Sequence, residues 1–241
     1  MPSILVAGDT HGDIDHIRYL ADVAVEHQVD AVVQVGDFGF LFEQGFVLAC
    51  RDLTDDAVCP MFWIDGNHDN HETIARLAGD ATEPVALWDV APDVLYVPRG
   101  AVFDVGAGNR CMGVGGAVSI DQGHRVRYVS WWPEETITTA DVNRACDNGP
   151  VDVLFTHDAP YGMAAIEPHM GGCGERLDRE SEHNRRAVSA IIDATTPNLV
   201  FHGHHHHRYA GLHRGRNGRL TQVHGLAMNG TGPASWELLH L

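Results

Sequence analysis

Residues 3–11 read SILVAGDTH, and residues 31–37 read AVVQVGD. Each stretch is a strand-length apolar run followed directly by glycine and aspartate, and an amphipathic helix is predicted between them, near Asp15 to Glu26. This β-loop-α-β opening predicts parallel strands in an α/β protein. A third apolar run, Met61 to Ile64, is followed by Asp-Gly in the same way. In open α/β sheets ligands bind at the carboxyl ends of the strands, which is where these polar residues stand.

Metal-ligating residue types follow five such runs, and the last two come after the predicted strands Val151 to Phe155 and Leu199 to Phe201. Residues two apart in extended backbone point to the same side, so a carboxylate and an imidazole can meet one ion. By the same rule two histidines of the last cluster serve two neighbouring ions, and His205 and His207 face away. The clusters are Asp9-x-His11, Gly36-Asp37, Gly66-Asn67-His68-Asp69, Thr156-His157 and Gly203-His204-His205-His206.

Each cluster by itself has an ordinary structural explanation. A Gly-Asp pair is commonly a turn, and a lone histidine is more often a surface or core residue. A histidine run can be a purification tag, but His204 to His207 lies inside the chain, between a strand and a β-rich tail. Five clusters in order predict one site for two metal ions, and nitrogen and oxygen ligands without thiolate suit Mn, Fe, Zn, Co or Ni.

The motif order D-x-H, G-D, G-N-H-D, T-H and G-H-x-H resembles that of the calcineurin-like metallophosphoesterases, bacterial or phage-type phosphodiesterases among them. The resemblance implies a four-layer α/β/β/α sandwich, with two mixed β-sheets flanked by helices and a dimetal site at the strand ends. We expect residues 1–241 to form a single domain of this kind. The resemblance also implies the ligands of the first metal, Asp9, His11, Asp37 and His206, and those of the second, Asp37, Asn67, His157 and His204.

The resemblance further implies a phosphoric ester hydrolase in which a hydroxide shared by two divalent ions attacks phosphorus in line. Mn is the ion expected to serve in assays. His68 is the expected general acid, because its ordinary pKa of roughly 6.5 lies near neutral pH. Asp69 is expected to orient the His68 ring and keep it protonated; the alternative is an exposed carboxylate at a helix start. Asn67 and His68 are also expected to contact the substrate.

The residues after Asp37 bear on the substrate. Protein phosphatases of the family continue Gly-Asp with a V-D-R-G stretch whose arginine grips a phosphate dianion, whereas residues 36–41 here read GDFGFL. A diester has one negative charge fewer and needs such an arginine less. We therefore expect small phosphodiesters, such as 2′,3′- or 3′,5′-cyclic nucleotides. Phe38 is a candidate for stacking on a base, as are Phe40 and Phe42, although the core is the simpler place for them. Arg99, Arg125 and Arg127 are candidates for contacting phosphate, although the surface is the default place for an arginine.

The charge balance excludes some partners. Thirty-three acidic residues against sixteen basic ones give a net charge of −17, which disfavours long nucleic acids. All sixteen basic residues are arginine, so P-loop and Schiff-base chemistry by a lysine is excluded. The partner we expect is a small phosphodiester, with no membrane contact and an oligomeric state left open.

A cytoplasmic location is expected from the start of the chain and its cysteines. Residues 1–9 lack the basic region and long apolar run of a signal peptide. The five cysteines are scattered without a C-x-x-C pair, which argues against disulfides and a thiolate metal site.

Other interpretations stay open at this stage. They are a phosphomonoesterase or protein phosphatase, a nuclease, and a scaffold that has lost catalysis. The middle of the chain, Val94 to Val114, is predicted to form hairpins around Pro98-Arg99-Gly100 and Gly106-Ala107-Gly108. Tyr161 to Arg179 is predicted to be a long loop beside the site.

Overall fold

The computed structural model describes residues 1–106 and 108–241, and this part of the chain contains two six-stranded β-sheets and five α-helices. The Gly106-Ala107-Gly108 turn named above lies partly outside the described residues. The strands are β1 (Ser3–Ala7), β2 (Ala31–Gln34), β3 (Met61–Trp63), β4 (Val85–Ala86), β5 (Val94–Tyr96), β6 (Val102–Phe103), β7 (Cys111–Val114), β8 (Val153–Thr156), β9 (Leu199–His202), β10 (Tyr209–Arg214), β11 (Leu220–Gly225) and β12 (Trp236–His240). The helices are α1 (Ile14–His27), α2 (Gln44–Ala57), α3 (His71–Ala78), α4 (Thr139–Asp147) and α5 (Glu175–Thr195).

The two sheets have the same plan. The first has the strand order β12-β1-β2-β3-β5-β4 and the second the order β10-β11-β9-β8-β7-β6. In each sheet the four central strands are parallel, and the strand at either edge is antiparallel to its neighbour. The parallel strands therefore bring their carboxyl ends to one edge of each sheet.

The side chains of β1 show how the layers form, because successive residues of a strand point to opposite faces. Ile4 and Val6 are fully buried in a cluster between the sheets, together with Phe155 of the second sheet. Leu5 and Ala7 are buried on the other face, in the cluster that α1 and α2 cover. Helices α4 and α5 cover the outer face of the second sheet in the same way. The expected α/β/β/α sandwich is confirmed.

Sequence patterns missed two helices and misplaced one boundary. The cap residue of α2, Glu43, makes no side-chain capping hydrogen bond, so the helix lacks the usual start signal. Helix α3 was also not predicted, although Asn70 caps it. Helix α5 begins at Glu175, inside the predicted loop from Tyr161 to Arg179. Its first turns are polar and exposed, held by ion pairs four residues apart such as Arg179 with Glu175, and so show no apolar periodicity.

The hairpin predicted at Pro98-Arg99-Gly100 is wrong. The chain leaves the first sheet after β5 and enters the second at β6, so these residues cross between the sheets. The Arg99 side chain is buried at this crossing and bound to Asp65, an interaction between residues 34 positions apart that no local pattern reveals. Strands β6 and β7 do form an antiparallel pair.

None of the helices in the described ranges combines the length and the apolar character needed to cross a membrane.

Candidate metal centre

The predicted ligands lie at the carboxyl ends of β1, β2, β3, β8 and β9. Glycines at these ends let the loops approach closely. A Cβ atom added at Gly203 would collide with the carboxylate of Asp9, and one added at Gly36 would collide with the His157 ring. Only glycine, which has no side chain, fits at these two positions. The close approach of the predicted ligands therefore depends on these glycines as well as on the strand order.

Four of the predicted residues form one cluster. The side chains of Asp9, His11, Asp37 and His206 each offer one ligand atom, and these atoms lie within 4.8 Å of one another. His206 Nε2 is 3.0 Å from Asp9 Oδ2, and His11 Nε2 is 3.5 Å from Asp37 Oδ2. Two carboxylates and two imidazoles at this spacing could hold a divalent ion.

The other oxygen of Asp37 faces the second predicted set. His157 Nε2 lies 3.3 Å from Asp37 Oδ1 and 3.0 Å from Asn67 Oδ1. The His204 ring is 5.1 Å from the His157 ring, measured between centroids. One oxygen of Asp37 therefore points to each set, as a carboxylate that bridges two ions requires.

The outer nitrogens of two of these histidines are already engaged, so their Nε2 atoms face inward. His157 Nδ1 is 2.8 Å from the Val35 carbonyl oxygen, and His11 Nδ1 is 3.0 Å from Asn229 Oδ1. Such contacts are typical of metal-ligating histidines, whose second nitrogen binds an outer partner. The ligand atoms present therefore fit the two divalent ions that the resemblance implies.

Buried carboxylates control the pKa values of these imidazoles. Burial by itself lowers the pKa of His157, but the charge of Asp37 and its hydrogen bond raise it to about 10. The same balance raises the pKa of His11 to about 9. Burial works to raise the pKa of Asp37, but His157 and His11 hold it well below its usual range. A divalent cation that binds here would take the place of these protons.

The prediction that Asp69 orients the His68 ring is wrong. The Asp69 carboxylate is fully buried and accepts hydrogen bonds from the backbone N–H groups of Phe38 (3.2 Å), Gly39 (2.8 Å) and Gly66 (2.8 Å). Burial and the nearby charge of Asp37 raise its pKa to about 7. Asp69 thus joins the loop after β2 to the loop after β3, because those loops present donors that would otherwise be unsatisfied.

His68 contacts an arginine where an acid was expected. Its backbone N–H donates to Asp37 Oδ1 at 2.7 Å, and its Nδ1 accepts from the Arg125 guanidinium. Burial and the charge of Arg125 lower the pKa of His68, although the charge of Asp37 opposes them. The ring lies 5.8 Å from that of His11, which places it beside the first cluster.

Arg125 belongs to the site, so the default expectation that it lies at the surface is wrong. Its guanidinium donates to Ser119 Oγ (2.9 Å) and to the Asn67 carbonyl (3.4 Å), and it lies 3.3 Å from an oxygen of Asp121. One signal could have indicated this position. The loop that carries Arg125 follows β7, and β7 is parallel to β8 and ends at the same edge of the sheet. Arg127 does stay at the surface, where it contacts Tyr128.

Arg99 is likewise not a surface residue. It is buried and supports the loop that carries Asn67 and His68. Its guanidinium donates to Asp65 Oδ2 at 2.6 and 2.9 Å, and to the carbonyls of Glu134, Glu135 and Thr136. Asp65 comes directly before the loop that carries Asn67 and His68. Arg99 and Asp65 therefore connect this loop to residues 134–136, which follow Arg125 in the sequence.

The histidine run does not adopt the extended backbone that was assumed. His204 and His206 both have positive φ, and the His205 N–H donates to the Gly203 carbonyl, which closes a turn. The run therefore winds around the edge of the site. His205 Nε2 lies 3.0 Å from Asp158, a buried acid. His205 and His207 both line the cavity beside the site, so the prediction that these two face away is wrong.

Phe38 cannot contact a substrate. It is fully buried and stacks on Trp63 at 4.7 Å between ring centroids, so it belongs to the core beneath the site. Phe42 is buried against Trp63 as well. Phe40 is half-buried, with its ring 6.1 Å from that of Trp132.

A cavity of about 530 Å³ opens beside the cluster. Its walls include Asn67, His68 and all four residues of the histidine run. The wall away from these residues is partly apolar, with two aspartates and the exposed Cys173. Its apolar members are Ile120, Ile166, Met170 and Leu177, and its aspartates, besides Asp37, are Asp121 and Asp178.

Comparison with protein families gives a match over most of the chain. The sequence model of the calcineurin-like phosphoesterases matches residues 2–208, a range that contains all the predicted ligands. No curated protein matches the chain at a significant level.

Comparison with solved structures gives matches at low identity. A Thermus thermophilus protein, TT1561, is 14% identical with a TM-score of 0.61, and the match covers 99% of this chain and 98% of that one. An archaeal phosphodiesterase is 11% identical with a TM-score of 0.43 over 99% of each chain. A purple acid phosphatase from yellow lupin seeds, PPD1, is 14% identical with a TM-score of 0.42, over 100% of this chain and 46% of that one. At 14% identity the likeness to TT1561 concerns the fold alone.

Proposed function

Because the chain belongs to the calcineurin-like phosphoesterase family, we propose that it hydrolyses small phosphodiesters of the nucleotide type with two divalent metal ions. Such ions supply a nucleophile by lowering the pKa of water and offset the negative charge that develops at phosphorus. Asp37 joins the two ligand sets, and Asp9, His11, His206, Asn67, His157 and His204 complete them. Mn is the proposed ion in assays.

The proposed preference for diesters rests on the acidic residues near His68, which offset the positive charge of Arg125. Arg125 is the arginine that contacts Asn67 and His68, and its guanidinium already lies 3.3 Å from the Asp121 carboxylate. Asp121 and Asp178 also line the cavity. A monoester dianion would bring one more negative charge into these surroundings than a diester does. The apolar wall of the cavity suits the uncharged organic part of a substrate, such as a nucleobase.

A smaller cavity of about 240 Å³ begins at His11 and runs along Gly39 and Phe40. Phosphorus in a linear diester carries two separate organic groups, and this second cavity offers room for the other one. A cyclic nucleotide joins both ester oxygens to one ribose and would need the larger cavity alone. Comparing linear with cyclic diesters therefore tests whether the smaller cavity is used.

His68 is the proposed general acid. Because a guanidinium only donates hydrogen bonds, Nδ1 of His68 must accept from Arg125, and the proton of the neutral ring then sits on Nε2. Nε2–H is the group that would face the departing oxygen. Transfer of this proton requires the imidazolium form of the ring, in which Nδ1 is also protonated and has released Arg125. The hydrogen bond from the His68 backbone N–H to Asp37 holds His68 beside the proposed metal ligands.

One observation favours the alternative, a phosphomonoesterase or protein phosphatase. Arg125 supplies a cation beside His68, although the position after Asp37 carries none. A dianionic phosphate could use that cation if Asp121 turned away from it.

A substrate panel tests the proposal. Initial rates would be measured on 2′,3′- and 3′,5′-cyclic nucleotides, linear dinucleotides and bis(p-nitrophenyl) phosphate, beside the corresponding monoesters, with Mn, Fe, Co, Ni and Zn. The Asp37→Asn variant, purified in parallel, controls for contaminating phosphatases. We expect diesters to be hydrolysed faster than monoesters. Hydrolysis of monoesters with untouched diesters would contradict the proposal.

A cytoplasmic location is part of the proposal. The five cysteines, all within the described residues, are free, which is usual in a reducing compartment.

A further inference from the structure

Asn229 lies in the turn between β11 and β12, beyond the range that the family model matches. We propose that it is a positioning residue, which fixes the His11 ring so that Nε2 is free to bind a metal ion. The inference rests on the metal centre of the proposed function and not on its substrate.

Three hydrogen bonds join Asn229 to the loop after β1. Its backbone N–H donates to the Asp9 carbonyl at 2.7 Å. Its side-chain Nδ2 donates to Asp13 Oδ2 at 2.9 Å, and its Oδ1 lies 3.0 Å from His11 Nδ1. One residue from the distant end of the chain therefore contacts the two ligands of the D-x-H motif and the acid that follows them.

These contacts determine which nitrogen of His11 carries a proton. The carboxylate of Asp13 can only accept, so the NH₂ group of Asn229 must face it and the amide oxygen must face His11. An amide oxygen also only accepts, so His11 Nδ1 is the donor. The lone pair of the neutral ring is then on Nε2, the atom that points to Asp37 Oδ2.

Asp13 gives this arrangement a rigid base. Its other oxygen, Oδ1, accepts from the backbone N–H groups of Asp15 and His16 and so caps helix α1. The helix start, Asp13, Asn229 and the His11 ring form one continuous chain of hydrogen bonds. Partners of this kind, behind a metal ligand, commonly change metal affinity about 10- to 100-fold when they are removed.

The test is Mn²⁺ binding, measured by titration calorimetry in the full-length protein. We expect Asn229→Ala to weaken one of two Mn²⁺ sites by about 10- to 100-fold. Asn217→Ala is the matched control, because Asn217 is an exposed turn residue whose oxygen accepts from the Arg219 N–H. Melting of each variant in EDTA shows whether the fold is intact.

A polarity exchange separates positioning from a general structural role. In the double variant Asn229→Asp, Asp13→Asn, the amide and the carboxylate change places. The new amide can still cap α1, since Asn and Asp are comparable caps, and the new carboxylate can still accept from His11 Nδ1. We expect this variant to regain most of the Mn²⁺ affinity lost in Asn229→Ala.

Unchanged affinity in Asn229→Ala would overturn the inference, and so would a double variant that binds no better than Asn229→Ala. A protein that binds two Mn²⁺ ions but hydrolyses no diester would contradict the proposed function and leave the role of Asn229 intact.

Discussion

The guanidinium of Arg125 donates a hydrogen bond to Nδ1 of His68, and 57 residues of sequence separate the two. The contact gives His68 a cationic partner, whereas the sequence had suggested a carboxylate. It leaves Nε2 as the protonated atom of the neutral ring. It also places a positive charge beside the proposed metal ligands, where the motif after Asp37 supplies none.

Replacing Arg125 tests this relationship. In Arg125→Ala the His68 ring loses its partner and the phosphate loses a nearby cation. A hydrogen bond to a charged group contributes about 1.5 to 3 kcal/mol, so we expect kcat/KM for a diester to fall about tenfold or more. Arg127→Ala, an exposed arginine of the same loop, is the control. Equal rates for the two variants would show that Arg125 has no part in the reaction.

Replacing His68 tests its role as the acid. His68→Ala leaves every predicted metal ligand in place, so two Mn²⁺ ions should still bind, while kcat should fall about 10²-fold or more. The loss should be smaller for a diester whose leaving group is a nitrophenolate, because that oxygen needs no proton. An equal loss on activated and ordinary diesters would argue that His68 positions the substrate instead.

Cys173 offers a chemical test of the cavity. Burial raises the pKa of Cys59 to about 11 and that of Cys111 to about 12, and Cys50 is also buried, so these thiols should react slowly. Cys173 is exposed on the cavity wall. A bulky maleimide should therefore modify Cys173 first, seen by peptide mass spectrometry, and should inhibit hydrolysis of nucleotide diesters.

Cys173→Ser is the control for that experiment, since it should retain activity after the same treatment. Full activity in a protein that carries the adduct at Cys173 would mean that substrates do not use this side of the cavity.

Glu135 predicts a pH-dependent stability. Its carboxylate accepts from the backbone N–H (2.7 Å) and the Oγ (2.9 Å) of Ser119, and burial raises its pKa from 4.5 to about 7. A carboxyl group whose pKa is raised by folding favours the folded state most below pH 4.5. That contribution is lost as the pH rises through about 7. The Glu135→Gln variant should not show this loss of stability, because glutamine does not titrate.

Urea unfolding of the metal-free proteins at about pH 5 and about pH 8 measures this effect. From the lower to the higher pH, the free energy of unfolding of the unchanged protein should fall by up to roughly 3 kcal/mol more than that of Glu135→Gln. The exposed neighbour variant Glu134→Gln should follow the unchanged protein. Parallel pH curves for the unchanged protein and Glu135→Gln would refute the raised pKa of Glu135.

Residues whose positions follow from adjacent sequence differ from residues whose partners lie far along the chain. The strands before Asp9 and Asp37 were predictable because their apolar runs are local and the aspartates follow them directly. Asp69 was misjudged because its sequence neighbour, His68, is not its partner in space: the turn after β3 directs its carboxylate to three backbone N–H groups. For Phe38 the sequence left base stacking and the core both open, and the core is where it lies, because its ring stacks on Trp63.

The parallel strands, the residue types at their carboxyl ends and the family could all be predicted from the amino-acid sequence alone. These depend on periodicity and on which residues are adjacent along the chain. The contact of Arg125 with His68, and that of Asn229 with His11, 218 residues away, could be seen only in the folded chain. The physical reason is that a hydrogen bond needs two atoms within about 3 Å, and packing of the two sheets and their loops sets that distance.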